Sequence, residues 1–218
     1  MSETTVGRLS SVKIRELAVQ GAFEVTPQQF PDDRGVFMEW YRFDKLEAVV
    51  GHPLRLAQAN TSVSRKGSLR GIHYADIPPG QAKYVTAMRG AVLDFVVDIR
   101  EGSATFGQWD SVLLDDGDRR AVYISEGLGH CFLALTDDAT VSYLVSETFS
   151  PGREHGITPL DPDIDLRFPL EADELLLSEK DRGAPTLGSL TGKNVLPQWS
   201  DSLKLSAVLQ TGTKGMRN

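Results

Sequence analysis

Between residues 68 and 100 the sequence sets three strand-like runs, at 69–74, 83–88 and 91–99, between the turn signals Pro78-Pro79-Gly80 and Arg89-Gly90. Aliphatic, aromatic and β-branched residues fill the runs, and Pro and Gly break them where the chain must change direction. The rhythm continues on either side. Residues 13–25 read as strands about Gln20-Gly21, Pro31 to Gly35 as a turn into a strand at 36–41, and 54–63 as another strand. After Gly102-Ser103, strands are expected at 105–114, 121–124, 131–135 and 140–145, with Asp115 to Asp118 as a hairpin turn. The best early helix is 41–50, stopped by Gly51. Short strands at regular spacing predict an all-β sandwich or jelly-roll barrel with a few short peripheral helices. Residues 1–12 read as a flexible start, 13–190 as the jelly-roll domain, and 191–218 as a peripheral helix or turn with a disordered end.

Composition narrows the class. A chain of 218 residues, 40% hydrophobic and 24% charged, suits one domain with a sizeable core. A net charge of −7 argues against a general nucleic-acid binder, and no run is apolar and long enough to span a membrane. The first seven residues lack the charged and apolar regions of a signal peptide, and Cys131 stands alone, so a cytoplasmic location is expected.

The candidate chemistry begins with His73 and Lys83. If their runs pair across the Pro-Pro-Gly loop, both side chains point into one barrel interior. A base beside a cation suits proton abstraction next to a carbonyl, the cation holding the enolate oxygen. A structural histidine and a surface lysine snorkelling from a strand end fit these two residues equally well. Phe37 and Glu39 share a strand face, where an aromatic with a carboxylate suits a nucleobase; Arg34 just before them suits a phosphate. Gln58 and Asn60 share the face of another strand. Each of these also fits a solvated surface or a loop cap. A jelly-roll with an interior histidine suggests a cupin. Metal-binding cupins use a His-X-His pair, and here Tyr74-Ala75 follow His73 while Lys83 stands where a carboxylate ligand is wanted. An ammonium has no lone pair to give, and His73 with His130 is an incomplete ligand set, so no metal is expected.

Together, Arg70-Gly71-Ile72-His73-Tyr74, Pro78 to Lys83, Val97 to Ser103, Phe106 to Trp109, Glu126 to His130 and Leu177 to Asp181 closely resemble the dTDP-4-dehydrorhamnose 3,5-epimerase family. The resemblance spans about residues 14–185, in order. It implies a cofactor-free enzyme on a cupin-type jelly roll, acting on dTDP-4-keto-6-deoxy-D-glucose. His73 would abstract the proton alpha to the C4 ketone, with Asp181 supporting the imidazolium. Lys83 would stabilise the enolate, and Tyr143 would return a proton from the opposite face. Arg34 and Arg70 resemble diphosphate contacts, and Gln58 and Asn60 nucleotide or sugar contacts. His130 resembles a second pocket histidine. Phe37 and Glu39 resemble the thymine contacts that the family takes from the partner subunit of a homodimer.

The sequence departs from the family in two places. Phe149 stands where double epimerases usually carry a second aromatic with a hydroxyl, and Cys131 where Gly usually follows the histidine. A missing phenol removes one donor near the sugar. The expectation is a mono-epimerase, at C3 rather than C5. Alternatives are a full 3,5-epimerase, a 3,4-ketoisomerase of the same nucleotide sugar, and a non-catalytic binding module.

Overall fold

The computed structural model describes residues 11–214, so most of the expected flexible start lies outside the described residues. Two antiparallel sheets carry the fold. The six-stranded sheet runs in the order β1 (Lys13–Glu16), β2 (Ala22–Thr26), β10 (Ala121–Ile124), β7 (Lys83–Arg89), β12 (Ala139–Val145), β5 (Gln58–Ser64). The five-stranded sheet runs β13 (Glu154–Gly156), β6 (Leu69–Ala75), β11 (Gly129–Ala134), β8 (Ala91–Val97), β9 (Trp109–Asp115). A separate hairpin joins β3 (Gln29–Asp32) to β4 (Gly35–Met38). Helices α1 (Phe43–Val50), α2 (Glu179–Arg182), α3 (Leu187–Leu190) and α4 (Trp199–Lys214) lie at the periphery. This is a cupin-type jelly roll.

Both faces of the sheets are covered, which explains the near-continuous apolar runs. Along β8, Val92 and Val96 enter the core between the sheets, while Phe95 and Val97 enter a second core behind them. The second core is closed by residues from the C-terminal third, among them Ile157, Ile164, Leu166, Leu175 and Leu187. A third core, with Leu46 of α1 and Leu54, backs the six-stranded sheet through Tyr84 and Tyr123. Period two then fixes what faces inward. On β11, His130, Phe132 and Ala134 pair with Val96, Asp94 and Val92, so all six share the interior face. On the opposite sheet, Val145 lies between Lys83 and Gln58, and Tyr143 between Val85 and Asn60, one row apart.

The strand rhythm survives in the structure, but the pairing across turns does not. β6 and β7 lie in opposite sheets and do not pair; the loop between them carries the chain across the sandwich. Arg89-Gly90 also crosses between sheets, and so does Asp115 to Asp118, where a hairpin was expected. There the Asp115 carboxylate accepts the N–H groups of Gly117 and Asp118 at 2.9 and 2.7 Å, a local turn that says nothing about the next strand's partner. The strands expected from 54 and 105 begin at Gln58 and Trp109. The helix at 41–50 forms as α1 and ends on Gly51, whose φ of 90° suits a residue without a Cβ. In the C-terminal segment the expected peripheral helix or turn is α4, 16 residues long, tied down by Trp199 beneath Arg100 at 4.6 Å and by a Trp199 N–H to Glu101 O bond of 2.9 Å; the expected disordered end, at 215–218, lies outside the described residues.

Candidate active site

A cavity of about 460 Å³ opens between the sheets, and its walls include His73, Lys83, His130, Tyr143, Arg70 and Asp181. The crossing of β6 and β7 into opposite sheets is what sets His73 and Lys83 facing one cavity. The pairing expected between their runs is absent, yet the shared interior is present. Lys83 is only 9% exposed, which removes the reading of a snorkelling surface lysine.

His73 Nε2 lies 2.7 Å from Asp181 Oδ1. Asp181 is placed by the first turn of α2, where its N–H meets the Ser178 hydroxyl at 3.0 Å. Burial pushes the Asp181 carboxyl up, but the hydrogen bond and charge of His73, the Ser178 hydroxyl and the Gly71 N–H outweigh it and hold it below the usual range. Gly71 also sets the strand spacing. At a φ of 129°, a Cβ there would lie 2.5 Å from His130 O and 2.7 Å from Cys131 Cα. Only glycine lets β6 approach β11 closely enough to bring His73 opposite His130.

Lys83 is the electrostatic counterpart. Burial pushes its ammonium down to about 8, while Glu154 and Asp94 act the other way. Tyr143, on β12, is pushed up by burial and by Glu154, with Arg70 opposing, so its phenol keeps its proton. Arg70 Nε reaches Ser64 Oγ at 3.2 Å. His130 Nε2 lies 2.8 Å from Asp94 Oδ2, and Asp94 Oδ1 is buried with no partner among the described residues. The cavity therefore holds two imidazole–carboxylate pairs, one buried cation and one protonated phenol.

The other candidates lie outside the cavity wall. Arg34, Phe37 and Glu39 sit on or beside the β3–β4 hairpin; Phe37 is 67% exposed, Arg34 pairs with Asp32, and Glu39 pairs with Arg42 at 2.8 Å. Gln58 and Asn60 face inward on edge strand β5 and bind each other at 2.6 Å. Phe149 is 59% exposed, and its N–H meets Gln58 Oε1 at 3.0 Å. Within a single chain these residues do not line the cavity that holds His73, Lys83, Tyr143 and Asp181.

Three residues went unnoticed in the sequence. Asp94 is a carboxylate among valines at an inward position of β8, a signal that period two alone could have supplied. Glu154 accepts from Gln81 Nε2 at 3.4 Å and from Ser150 N at 3.3 Å, and its charge acts on both Lys83 and Tyr143. Lys180 lines the cavity from α2. Glu154 and Lys180 sit in polar surroundings, where nothing local marks them. Among the described residues, no group of three or more metal-binding side chains converges.

A histidine at the cavity wall paired with a buried carboxylate, facing a cation and a phenol, suits an enzyme that moves protons on a carbon acid, the class of the isomerases. The sequence model of the dTDP-4-dehydrorhamnose 3,5-epimerase family matches residues 16–189, and the chain belongs to this family of dTDP-sugar epimerases. A dTDP-4-dehydrorhamnose 3,5-epimerase of Mycolicibacterium smegmatis is 55% identical over 86% of this chain and 92% of its own. A dTDP-4-dehydrorhamnose 3-epimerase of Streptomyces niveus is 50% identical over 87% of this chain and 90% of its own. Among solved structures, the rmlC epimerase of Mycobacterium tuberculosis aligns with a TM-score of 0.88 at 49% identity, over 90% of this chain and 99% of its own. ChmJ, a 3'-monoepimerase from Streptomyces bikiniensis in complex with dTDP-quinovose, aligns with a TM-score of 0.86 at 45% identity, over 89% of this chain and 98% of its own.

Proposed function

We propose that this epimerase inverts C3 of dTDP-4-keto-6-deoxy-D-glucose and leaves C5 unchanged. The observation that carries the reading is Phe149, a residue without a hydroxyl at the position where double epimerases usually carry one. Relatives named as 3-epimerases support it. The 55% identity to a 3,5-epimerase favours the second reading, a double epimerase. Incubation with the substrate in deuterated water separates the two by mass. One carbon-bound deuterium beyond the exchangeable sites supports the C3 reading; two support the double epimerase.

In this mechanism His73 is the base. Its Nε2–H is committed to Asp181, so the lone pair that takes the sugar proton is on Nδ1. Asp181 fixes that tautomer and stabilises the imidazolium. The Lys83 ammonium holds the enolate oxygen that develops at C4. Tyr143, held neutral, returns a proton from the opposite sheet, and delivery from the opposite face inverts the centre. Arg70 meets the diphosphate and His130 the sugar.

The nucleotide end is completed by a second copy of the chain. Phe37 and Glu39, exposed on their own subunit, reach the thymine of the partner's ligand, and Arg34 its diphosphate. Gln58, Asn60 and Phe149 border the same opening. Residues 13–190 form the catalytic unit. Mixing His73→Ala with Phe37→Ala protein tests the shared site: reassortment restores activity if each site draws on both subunits, and restores none if it does not.

A further inference from the structure

On the far side of the six-stranded sheet from the sugar cavity, α4 roofs a second polar chamber. It consists of two lobes, of about 190 and 130 Å³, that share His52, Tyr123 and Glu126 as walls. Most of its roof lies beyond the 16–189 segment that the family model matches. Ser202 and Ser206 of α4 face the larger lobe, and Leu205 and Leu209 the smaller.

Two wall groups lack protein partners. Tyr123 is wholly buried, and among the described residues nothing hydrogen-bonds its hydroxyl. Glu126 packs against the Pro-Pro-Gly loop, where a Cβ on Gly80 would lie 2.5 Å from Glu126 Cβ. Burial pushes its carboxyl up to about 7, opposed only by its own backbone N–H. A wholly buried phenol left without a partner, beside a partly buried carboxyl, is costly unless something polar satisfies it. The nearby charges do not. Arg100 is spent on Asp98 at 2.8 Å and on the Trp199 ring, while Glu16 adds a second negative charge at the larger lobe. The smaller lobe is lined by one cation, Arg55, and by a further carboxylate, Glu147, and no charge contact of Arg55 acts on Glu126. His52, buried, is pushed toward its neutral form. The unmet demand is for a cation and a hydrogen-bonding hydroxyl, in a space for a few heavy atoms.

We propose that the chamber beneath α4 is a second small-molecule site, separate from the sugar-nucleotide cavity, that binds a short amino alcohol. Its ammonium pairs with Glu126 and its hydroxyl bonds the Tyr123 phenol. The smaller lobe is also walled by Pro79, in the loop that leads into Lys83.

The test is amide NMR of the full-length protein titrated with 2-aminoethanol, with 1,2-ethanediol as the uncharged control. Saturable shifts are expected at Gly80, Ser202 and Ser206 with the amine and not with the diol. Saturating dTDP should leave them in place. Glu126→Gln should weaken binding by about tenfold or more, by loss of the charge-assisted bond. Tyr123→Phe should weaken it by about threefold to tenfold, and serves if the first variant does not fold. Absence of saturation at concentrations up to about 0.1 M, weaker than any specific site of this kind, would overturn the proposal. So would equal shifts with the diol, displacement by dTDP, or unchanged affinity in whichever variant folds.

Discussion

Asp181→Asn is the perturbation that separates a working base from a histidine that merely lines a cavity. The side chain is nearly isosteric and the cap bond runs from the Asp181 backbone N–H to the Ser178 hydroxyl, so α2 keeps its place. Two losses follow at His73. The 2.7 Å bond to a carboxylate becomes a neutral one. A hydrogen bond to a charged partner contributes about 1.5–3 kcal/mol, against about 1 for a neutral one, so the imidazolium formed during proton abstraction is less stable by about 1–2 kcal/mol. The asparagine amide also donates its own N–H to Nε2. This places the imidazole proton on Nδ1, the atom that must receive the sugar's proton. Reversing the tautomer adds a further penalty of similar size. Together, at about 2–4 kcal/mol, they predict that kcat falls by about 30- to 10³-fold, since each 1.4 kcal/mol is a factor of ten, while KM changes less than about threefold because Asp181 holds the base and not the nucleotide. The assay is the initial rate of solvent deuterium incorporation into the substrate at several concentrations. A loss below about threefold in kcat, or a loss carried entirely by KM, would refute the reasoning.

Other perturbations address the remaining parts of the site. Lys83 supports the reaction only as a cation, and burial brings it down to about 8, so kcat/KM should be flat to about pH 8 and then fall about tenfold per unit in a pH–rate profile. Lys83→Met should lower kcat by about 10²–10³-fold at pH 7 and abolish that alkaline limb. Phe149→Tyr places a phenol at that position and should add deuterium at a second carbon, read by proton NMR of the product; an unchanged single label would remove Phe149 from the account of specificity. Gly71→Ala forces a Cβ to 2.5 Å from His130 O at positive φ and should destabilise the fold by about 2–4 kcal/mol. At about 2–4 °C per kcal/mol for a chain of this size, the thermal midpoint should drop by about 5–15 °C.

The fold class followed from local pattern, because strand-forming runs and turn residues are local properties. Strand partnership is not. The Pro-Pro-Gly loop and Asp115 to Asp118 carry every signal of a chain reversal, yet each crosses between sheets, since which edge receives the next strand depends on packing across the whole sandwich. The residues that line the cavity were reached partly by residue chemistry and partly by family resemblance; His73 and Lys83 stood out as a base and a cation on strands. Asp94 was within reach, as an acid on an apolar strand at an inward position. Glu154 was not, because its effect on Lys83 and Tyr143 arises where three segments meet. The helix α4 was hidden for another reason. Its Ser, Thr and Gly content gives weak helix propensity, and it is held by Trp199 against Arg100 and by Gln210 reaching Val50 O at 3.5 Å.

The most direct test of the central claim compares wild-type protein with His73→Asn on dTDP-4-keto-6-deoxy-D-glucose in deuterated water, followed by proton NMR. The account predicts deuterium at C3 with inversion there in the wild type, and no incorporation at that carbon in the variant while dTDP still binds. Continued exchange in the variant, or inversion without solvent deuterium, would contradict His73 as the base and with it the mechanism.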